Sequence, residues 1–191
     1  MKLITLILIL VFNLYSNELN TYKFNMIKYI KDNDKISFTE FKSITKQYNK
    51  KDLKKCINKF SKQFKVPKKA FDSIIYMENS KRITYAINCN TNIKPYSSSI
   101  YRNYLNYLYC KNDNVDVGIM QINLKVWKRE DENLTFDKLL NPCYNIFYGM
   151  KIISKHYKET NNWVKTLGYY HSRTPKHFNN YVDGIRKFLH K

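Results

Sequence analysis

Apolar residues recur at spacings of three and four in successive stretches of this chain, and no run alternates apolar with polar long enough to read as a strand. That periodicity restricts the fold to packed helices, so the class is mainly α. The clearest stretch starts at Asn141-Pro142, with Pro suited to a first helical turn. Cys143, Ile146, Met150, Ile153 and Tyr157 then share a face, and Asn161-Asn162 ends the helix. Asp52 to Phe64 carries a second stripe, made of Leu53, Cys56, Ile57, Phe60 and Phe64. A third helix follows Pro67 and runs to Glu78, with Ala70, Phe71, Ile74 and Ile75 on the face of that carboxylate. Shorter helices fit Trp163 to Tyr170 and Phe178 to Leu189, the last with Tyr181, Val182, Ile185 and Leu189 inward.

Between 81 and 114 the helical pattern breaks. Pro95, Ser97-Ser98-Ser99, several Tyr and two Cys make this a long insertion after the Glu78 helix, with one helix near Ile100 to Leu108. Residues 17–50 form an N-terminal segment of unknown role. Within it Ser37-Phe38-Thr39-Glu40 has capping-box spacing and fits the start of a short helix. At 191 residues the chain has room for one domain with its own core, over 51–191.

Residues 1–16 read as an export signal. Met1-Lys2 supplies the positive start, Leu3 to Leu14 the apolar run, and Leu14-Tyr15-Ser16 a loose cleavage site. The run is about 12 residues, short of the ~20 needed to span a bilayer. The expected location is therefore the periplasm or cell wall, and the alternative is an uncleaved anchor. Four cysteines in an exported chain imply two disulfides, with three pairings open. Cys56 and Cys143 both sit on inward stripes, and Cys89 and Cys110 share the insertion, which favours Cys56–Cys143 and Cys89–Cys110 over free buried thiols. Neither the Cys spacings nor His156, His171, His177 and His190 fit a common zinc pattern, so no metal is expected.

Lys and Arg number 34 against 15 Asp and Glu, for a formal charge of +19. Only Arg82, Arg102, Arg129, Arg173 and Arg186 are Arg, and the Lys majority suits diffuse attraction to an acidic polymer. Wall glycan with its peptide carboxylates, anionic lipid and nucleic acid all qualify. A Lys bias spread over the whole chain accounts for the same count. The export signal argues against nucleic acid.

Glu78 is the first candidate for chemistry. A carboxyl closing an apolar stripe is a potential proton donor, because burial disfavours its charged form; the alternative is a surface Glu in a last turn. The second candidate is Gly118-Ile119-Met120-Gln121-Ile122-Asn123, after Asp116-Val117. Gly permits close backbone approach, Met120 an adaptable wall, and Gln121 and Asn123 suit sugar hydroxyls and acetamides. Alone, the hexapeptide reads equally as a turn before a buried helix start. Asp116 is either a second carboxylate across from Glu78 or, as preferred here, a cap on the turn before Gly118.

The ordered series strongly resembles the lytic transglycosylases with a goose-lysozyme-like fold. It runs from the helix ending in Glu78, through Gly118 to Asn123 and Asn141-Pro-Cys-Tyr-Asn145-Ile146-Phe-Tyr-Gly149, to Trp163–Tyr170. It is similar in particular to small members that accompany secretion, pilus and conjugation machines, which carry a Cys before the catalytic helix and another after Asn/Asp-Pro. The resemblance covers about Lys51 to Lys191. It implies a single lysozyme-like helical domain, with Glu78 as the catalytic acid and base. Gly118, Ile119, Met120 and Gln121 would match the family's Gly-Leu-Met-Gln and line the glycan cleft beside Asn123. Asn145, Ile146 and Gly149 would match a structural helix motif. Tyr170 would be the cleft tyrosine. Two departures stand out: Asn79 follows the Glu where the family has Ser, and His171 follows the Tyr where it has Asn. His171 reads as structural or solvent-facing.

The reaction so implied is cleavage of the β-1,4 bond between N-acetylmuramic acid and N-acetylglucosamine, leaving a 1,6-anhydromuramyl end, without cofactor. The expected partners are peptidoglycan and a secretion, pilus or conjugation apparatus, with a monomer and no nucleic acid. The alternatives are a lysozyme-type hydrolase and a weak or inactive basic wall-binding protein.

Overall fold

The computed structural model describes residues 35–46, 49–79, 82–89, 99–110 and 113–190. The export signal, most of segment 17–50 and the Pro95/Ser97-Ser98 stretch of the insertion lie outside the described residues. The described residues are mainly helical, with nine helices and three two-residue strands among them. None of these helices is long and apolar enough to cross a membrane.

A compact unit runs from Phe38 to Lys191. Its first helix, α1 (Phe38–Thr45), carries Phe41, which is fully buried. Phe41 packs on Tyr104, Tyr107 and Phe136, so part of segment 17–50 belongs to the core of this unit. Eight residues give too few turns for periodicity to announce that role.

Helix α2 (Lys50–Phe64) opens on a capping box, in which Asn49 accepts from Lys51 and Asp52 and Asp52 accepts from the Asn49 N–H. Its inward Cys56 is bonded to Cys143 at the start of α7 (Pro142–Thr160); Phe60 packs edgewise on Phe147, and Phe64 lies tilted against the same ring. Asn141 caps α7 by accepting from Cys143 and Tyr144, and Pro142 fills the first turn. Helix α3 (Lys68–Asn79) buries Ala70, Phe71, Ile74 and Ile75, which brings Glu78 inward on the same stripe.

The described part of the insertion, residues 82–89, 99–110 and 113–114, is a built part of the domain. Strand β1 (Ile87–Asn88) and helix α4 (Ile100–Tyr109) lie in it, and Cys89–Cys110 ties them together. Tyr104, Tyr107 and Leu108 of α4 are buried. Asn103 accepts from the Ile87 N–H and Asn106 donates to the Ile87 carbonyl, so two side-chain amides close the open edge of β1.

Strands β2 (Asp116–Val117) and β3 (Ile122–Asn123) complete an antiparallel sheet in the order β1-β2-β3. Strands of two residues are too short to show alternation in sequence, so the chain reads as strand-free. Each nevertheless points one residue to each face. Ile87, Val117 and Ile122 pair in an apolar rung that is 0–1% exposed, and Asn88, Asp116 and Asn123 pair in a polar rung. Two short helices, α5 (Leu124–Trp127) and α6 (Phe136–Leu140), precede α7. Helices α8 (Trp163–His171) and α9 (Pro175–Leu189) end the domain. Trp163 stacks on Tyr157 of α7, and Phe188 of α9 stacks on Tyr76 of α3.

Candidate active site

Glu78, at the last turn of α3, keeps 14% of its side chain exposed. Tyr181 of α9 donates from its hydroxyl to Glu78 Oε1 at 2.7 Å. His171, the last residue of α8, brings Nδ1 to 3.7 Å from the same oxygen. The His171 ring lies on that of Tyr181, with centroids 4.6 Å apart and planes 6° from parallel. Three helices therefore deliver one carboxylate and two polar rings to a single oxygen atom.

Glu78 lines a cleft of about 800 Å³, open on one side to solvent. The polar rung of the sheet, Asn88, Asp116 and Asn123, lines it too, with Gln121, Tyr170, His171 and Tyr181. Trp127 and Tyr169 add aromatic surface. Glu78, Gln121, Asn123 and Tyr170 are thus gathered in one place from α3, the β2–β3 turn, β3 and α8.

Gly118, Ile119 and Met120 lie in the turn between β2 and β3, behind that wall. Ile119 is 5% exposed and Met120 fully buried. Their contribution is to the shape of the turn. Gly118 has φ +78°, and a Cβ there would come within 2.5 Å of the Asn145 amide. Asn145, itself fully buried on α7, donates to the Val117 and Leu139 carbonyls and accepts from the Met120 N–H. Gly149, one turn further along α7, leaves the space that the Met120 side chain fills; a Cβ would meet its sulfur at 2.2 Å. Asn145 and Gly149 thus pin the turn to α7 through a hydrogen-bonded clamp and a close approach.

The pinned turn sets the next residues. Gln121 takes a left-handed φ of 47°. Its Nε2 donates to the Gly118 and Ala86 carbonyls, while its buried Oε1 has no hydrogen-bond partner among the described residues. Tyr170 donates from its hydroxyl to the Met120 carbonyl at 2.8 Å. Asn123 accepts from the Val126 N–H, capping α5, and donates from Nδ2 to Asp116 at 2.9 Å.

Asp116 does not cap the turn before Gly118. It stands on β2, accepts from Asn123 and Asn88, and faces the cleft. The capping reading fails because β1 and β3 close around β2 and make it a central strand. Burial pushes its carboxyl up to about 6, with the Asn123 hydrogen bond opposing and the Glu78 charge adding to the rise. The Tyr170 hydroxyl is driven well above its ordinary value, first by burial and then by Glu78 and Asp116, so it stays a donor. The His171 imidazole is raised, first by its contact with Glu78, against an opposing effect of burial.

The two departures from the family pattern have structural accounts. Asn79 is 1% exposed; its amide donates to the Ile83 carbonyl and accepts from the Ile83 N–H, closing the turn that follows α3. His171 occupies the cleft against Glu78 and is not merely solvent-facing. Tyr181 looks in the sequence like one more inward residue of the last helix, and its hydroxyl is the only hint of a second use. Among the described residues no three His, Cys, Asp or Glu side chains are grouped to hold a metal ion.

The model of one protein family, the transglycosylase SLT domain, matches residues 55–180. The match takes in Glu78, the β2–β3 turn, Asn145, Gly149, Tyr170 and His171, and stops one residue before Tyr181. No curated protein and no solved structure matches the chain.

Proposed function

The chain belongs to the transglycosylase SLT domain family, whose members are lytic transglycosylases acting on peptidoglycan, and from that membership we propose that Glu78 is the acid and base of a site that cleaves the MurNAc–GlcNAc bond to leave a 1,6-anhydromuramyl end. The observation that carries this is the gathering of Glu78, Gln121 and Tyr170 in one cleft around a carboxylate held by Tyr181.

Protonated Glu78 gives its proton to the bridging glycosidic oxygen, and the C1–O bond breaks. The substrate's own acetamide stabilises the cationic centre. The Glu78 carboxylate then takes the proton of the muramyl 6-hydroxyl as that oxygen bonds to C1. No water is consumed, and Glu78 ends as it began. The Tyr181 hydrogen bond fixes the orientation of the carboxyl, the kind of placement on which general acid catalysis depends. Mass spectrometry of purified wall digested with the mature protein checks this: anhydromuropeptides are expected from wild type and none from Glu78→Gln, with circular dichroism unchanged.

Asp116 supports a second reading. A carboxyl sharing the cleft with Glu78 offers the second carboxylate that hydrolysis of a glycoside usually needs. Reducing-end products alone, lost in both Glu78→Gln and Asp116→Asn, would establish a lysozyme-type hydrolase. Wall binding without any products would establish a non-catalytic wall protein.

We place the protein outside the cytoplasm, at the wall, serving a secretion, pilus or conjugation apparatus by local opening of the mesh. The two disulfides and the apolar start of the chain support export. Fractionation of the producing cells checks it: recovery of the oxidised mature chain from the wall fraction is expected.

A further inference from the structure

The outer face of α7 borders a second cavity, which the chemistry at Glu78 does not use. It encloses about 570 Å³ and adjoins the cleft, since Trp127, Glu130 and Lys155 line both. Its floor is apolar: Tyr148 and Ile152 of α7 are each 2% exposed, and Phe64 at the end of α2 adds to its wall. Lys151, Lys155 and Lys158 line it at spacings of four and three, so one stripe of α7 presents three ammonium groups to it. Lys151 lies over the Tyr148 ring, with Nζ 5.0 Å from its centroid, and Lys155 over Trp127 at 5.5 Å. The neighbouring carboxylates are matched: Glu130 pairs with Lys155, Asp131 with Lys151 and Glu159 with Arg173. Lys158 has no ion pair among the described residues and leaves the groove with excess positive charge. Helix α2 beside it adds Lys50, Lys51, Lys54, Lys55, Lys59 and Lys62 against Asp52 alone, whose carboxylate serves the capping box.

We propose that the α2–α7 groove binds the acidic peptide stem of a muramyl residue held in the cleft, so that the protein selects peptide-bearing strands over stripped ones. The inference rests on the reading of peptidoglycan as the substrate. A side cavity that meets the cleft along one shared wall suits a branch leaving the strand, and the stem is the branch that each muramyl unit carries. Four residues reach about 13 Å when extended, enough to pass from one cavity into its neighbour. The stem's aliphatic parts fit the floor of Tyr148, Ile152 and Phe64, and its carboxylates meet the Lys stripe. Charge decides the direction of the preference: a surplus ammonium attracts a carboxylate and gives a neutral branch no advantage.

A contact remote from the breaking bond holds ground state and transition state alike, so its loss raises KM and leaves kcat unchanged. The mature protein, Lys158→Glu and Lys151→Gln are compared on two soluble glycans, one carrying its stems and one stripped of them by an amidase. Both substitutions replace exposed side chains that line the groove and not the cleft. Wild type is expected to show a KM severalfold lower on the peptide-bearing strands. Each variant should raise that KM severalfold, with KM on stripped glycan and kcat on both substrates unchanged. Equal KM values for wild type on the two glycans overturn the proposal. So do variants that change both KM values equally, or neither.

A second measurement does not need turnover. Free tetrapeptide stem is titrated into the nitrogen-15-labelled mature protein, and backbone amide shifts are followed. Shifts are expected at Lys151, Ile152 and Lys158, reduced in Lys158→Glu and at 300 mM salt. Shifts that are absent, or confined to the surroundings of Glu78, overturn the groove as the stem's site. Wild type that releases no anhydromuropeptides overturns the transglycosylase reading, and the titration still decides whether the groove takes the stem.

Discussion

At the scale of single residues, the site is built on polar groups held by other polar groups. Tyr181→Phe keeps the ring under His171 but removes the hydroxyl that Glu78 Oε1 accepts from. A hydrogen bond to a charged group contributes about 1.5–3 kcal/mol. The expected outcome is a fall in kcat of roughly tenfold to a hundredfold, read from the same product assay, together with a lower melting temperature. Asp116 shows the opposite economy. Its folded-state value of about 6 lies above the ordinary carboxylate range, so between about pH 4 and 6 the folded chain keeps a proton that the unfolded chain has released. Stability therefore falls as pH rises through that window. Asp116→Asn cannot ionise and can still accept from Asn123. It should raise stability at pH 8 by on the order of 2 kcal/mol while leaving it unchanged at pH 4, as measured by urea unfolding at the two pH values.

At the scale of elements, the decisive feature is how α7 holds the β2–β3 turn. Asn145 makes three buried hydrogen bonds to that turn and to the end of α6. Asn145→Ala leaves those backbone groups unpaired inside the domain, each at a cost of about 1–3 kcal/mol. A loss of about 3 kcal/mol is expected in chemical denaturation, together with loss of activity, because Gln121 and the Met120 carbonyl that Tyr170 reaches are set by the same turn. The disulfides act on other pairs of elements. Cys56–Cys143 closes 87 residues and joins α2 to α7; Cys89–Cys110 closes 21 and joins β1 to α4. Loop-closure entropy assigns about 4.5 kcal/mol to the first and about 3 kcal/mol to the second. Replacing each pair by Ser should lower the melting temperature more for the first pair, while loss of the second should expose the β1 edge to faster amide exchange.

At the scale of the whole molecule, a formal charge of +19 in a family that acts on peptidoglycan predicts capture of an acidic polymer by diffuse attraction. Adsorption of Glu78→Gln to purified wall should weaken severalfold between 50 and 300 mM salt, checked by pelleting, since exposed charges are screened over about 10 Å at 0.1 M. Much of this molecule could be read from its residues. The stripes on α2, α3 and α7, the Asn141-Pro142 start, the inward placing of Cys56 and Cys143 and the placing of Glu78 beside an apolar face all follow from local rules of spacing and capping. These signals lie within one helix or one turn, where the neighbours of a residue are its neighbours in sequence. The polar rung Asn88–Asp116–Asn123 does not, because its strands are two residues long and their faces exist only once they pair. Phe41 reaches the core, and Asp116 the cleft, through partners far along the chain. The same holds for Glu78. Its position at the end of an inward stripe was determined by the sequence alone. That Tyr181, more than a hundred residues away, and His171 converge on one of its oxygens was decided by the packing of α8 and α9 against α3, because a hydrogen bond depends on distance in space and no local pattern encodes which helices will meet.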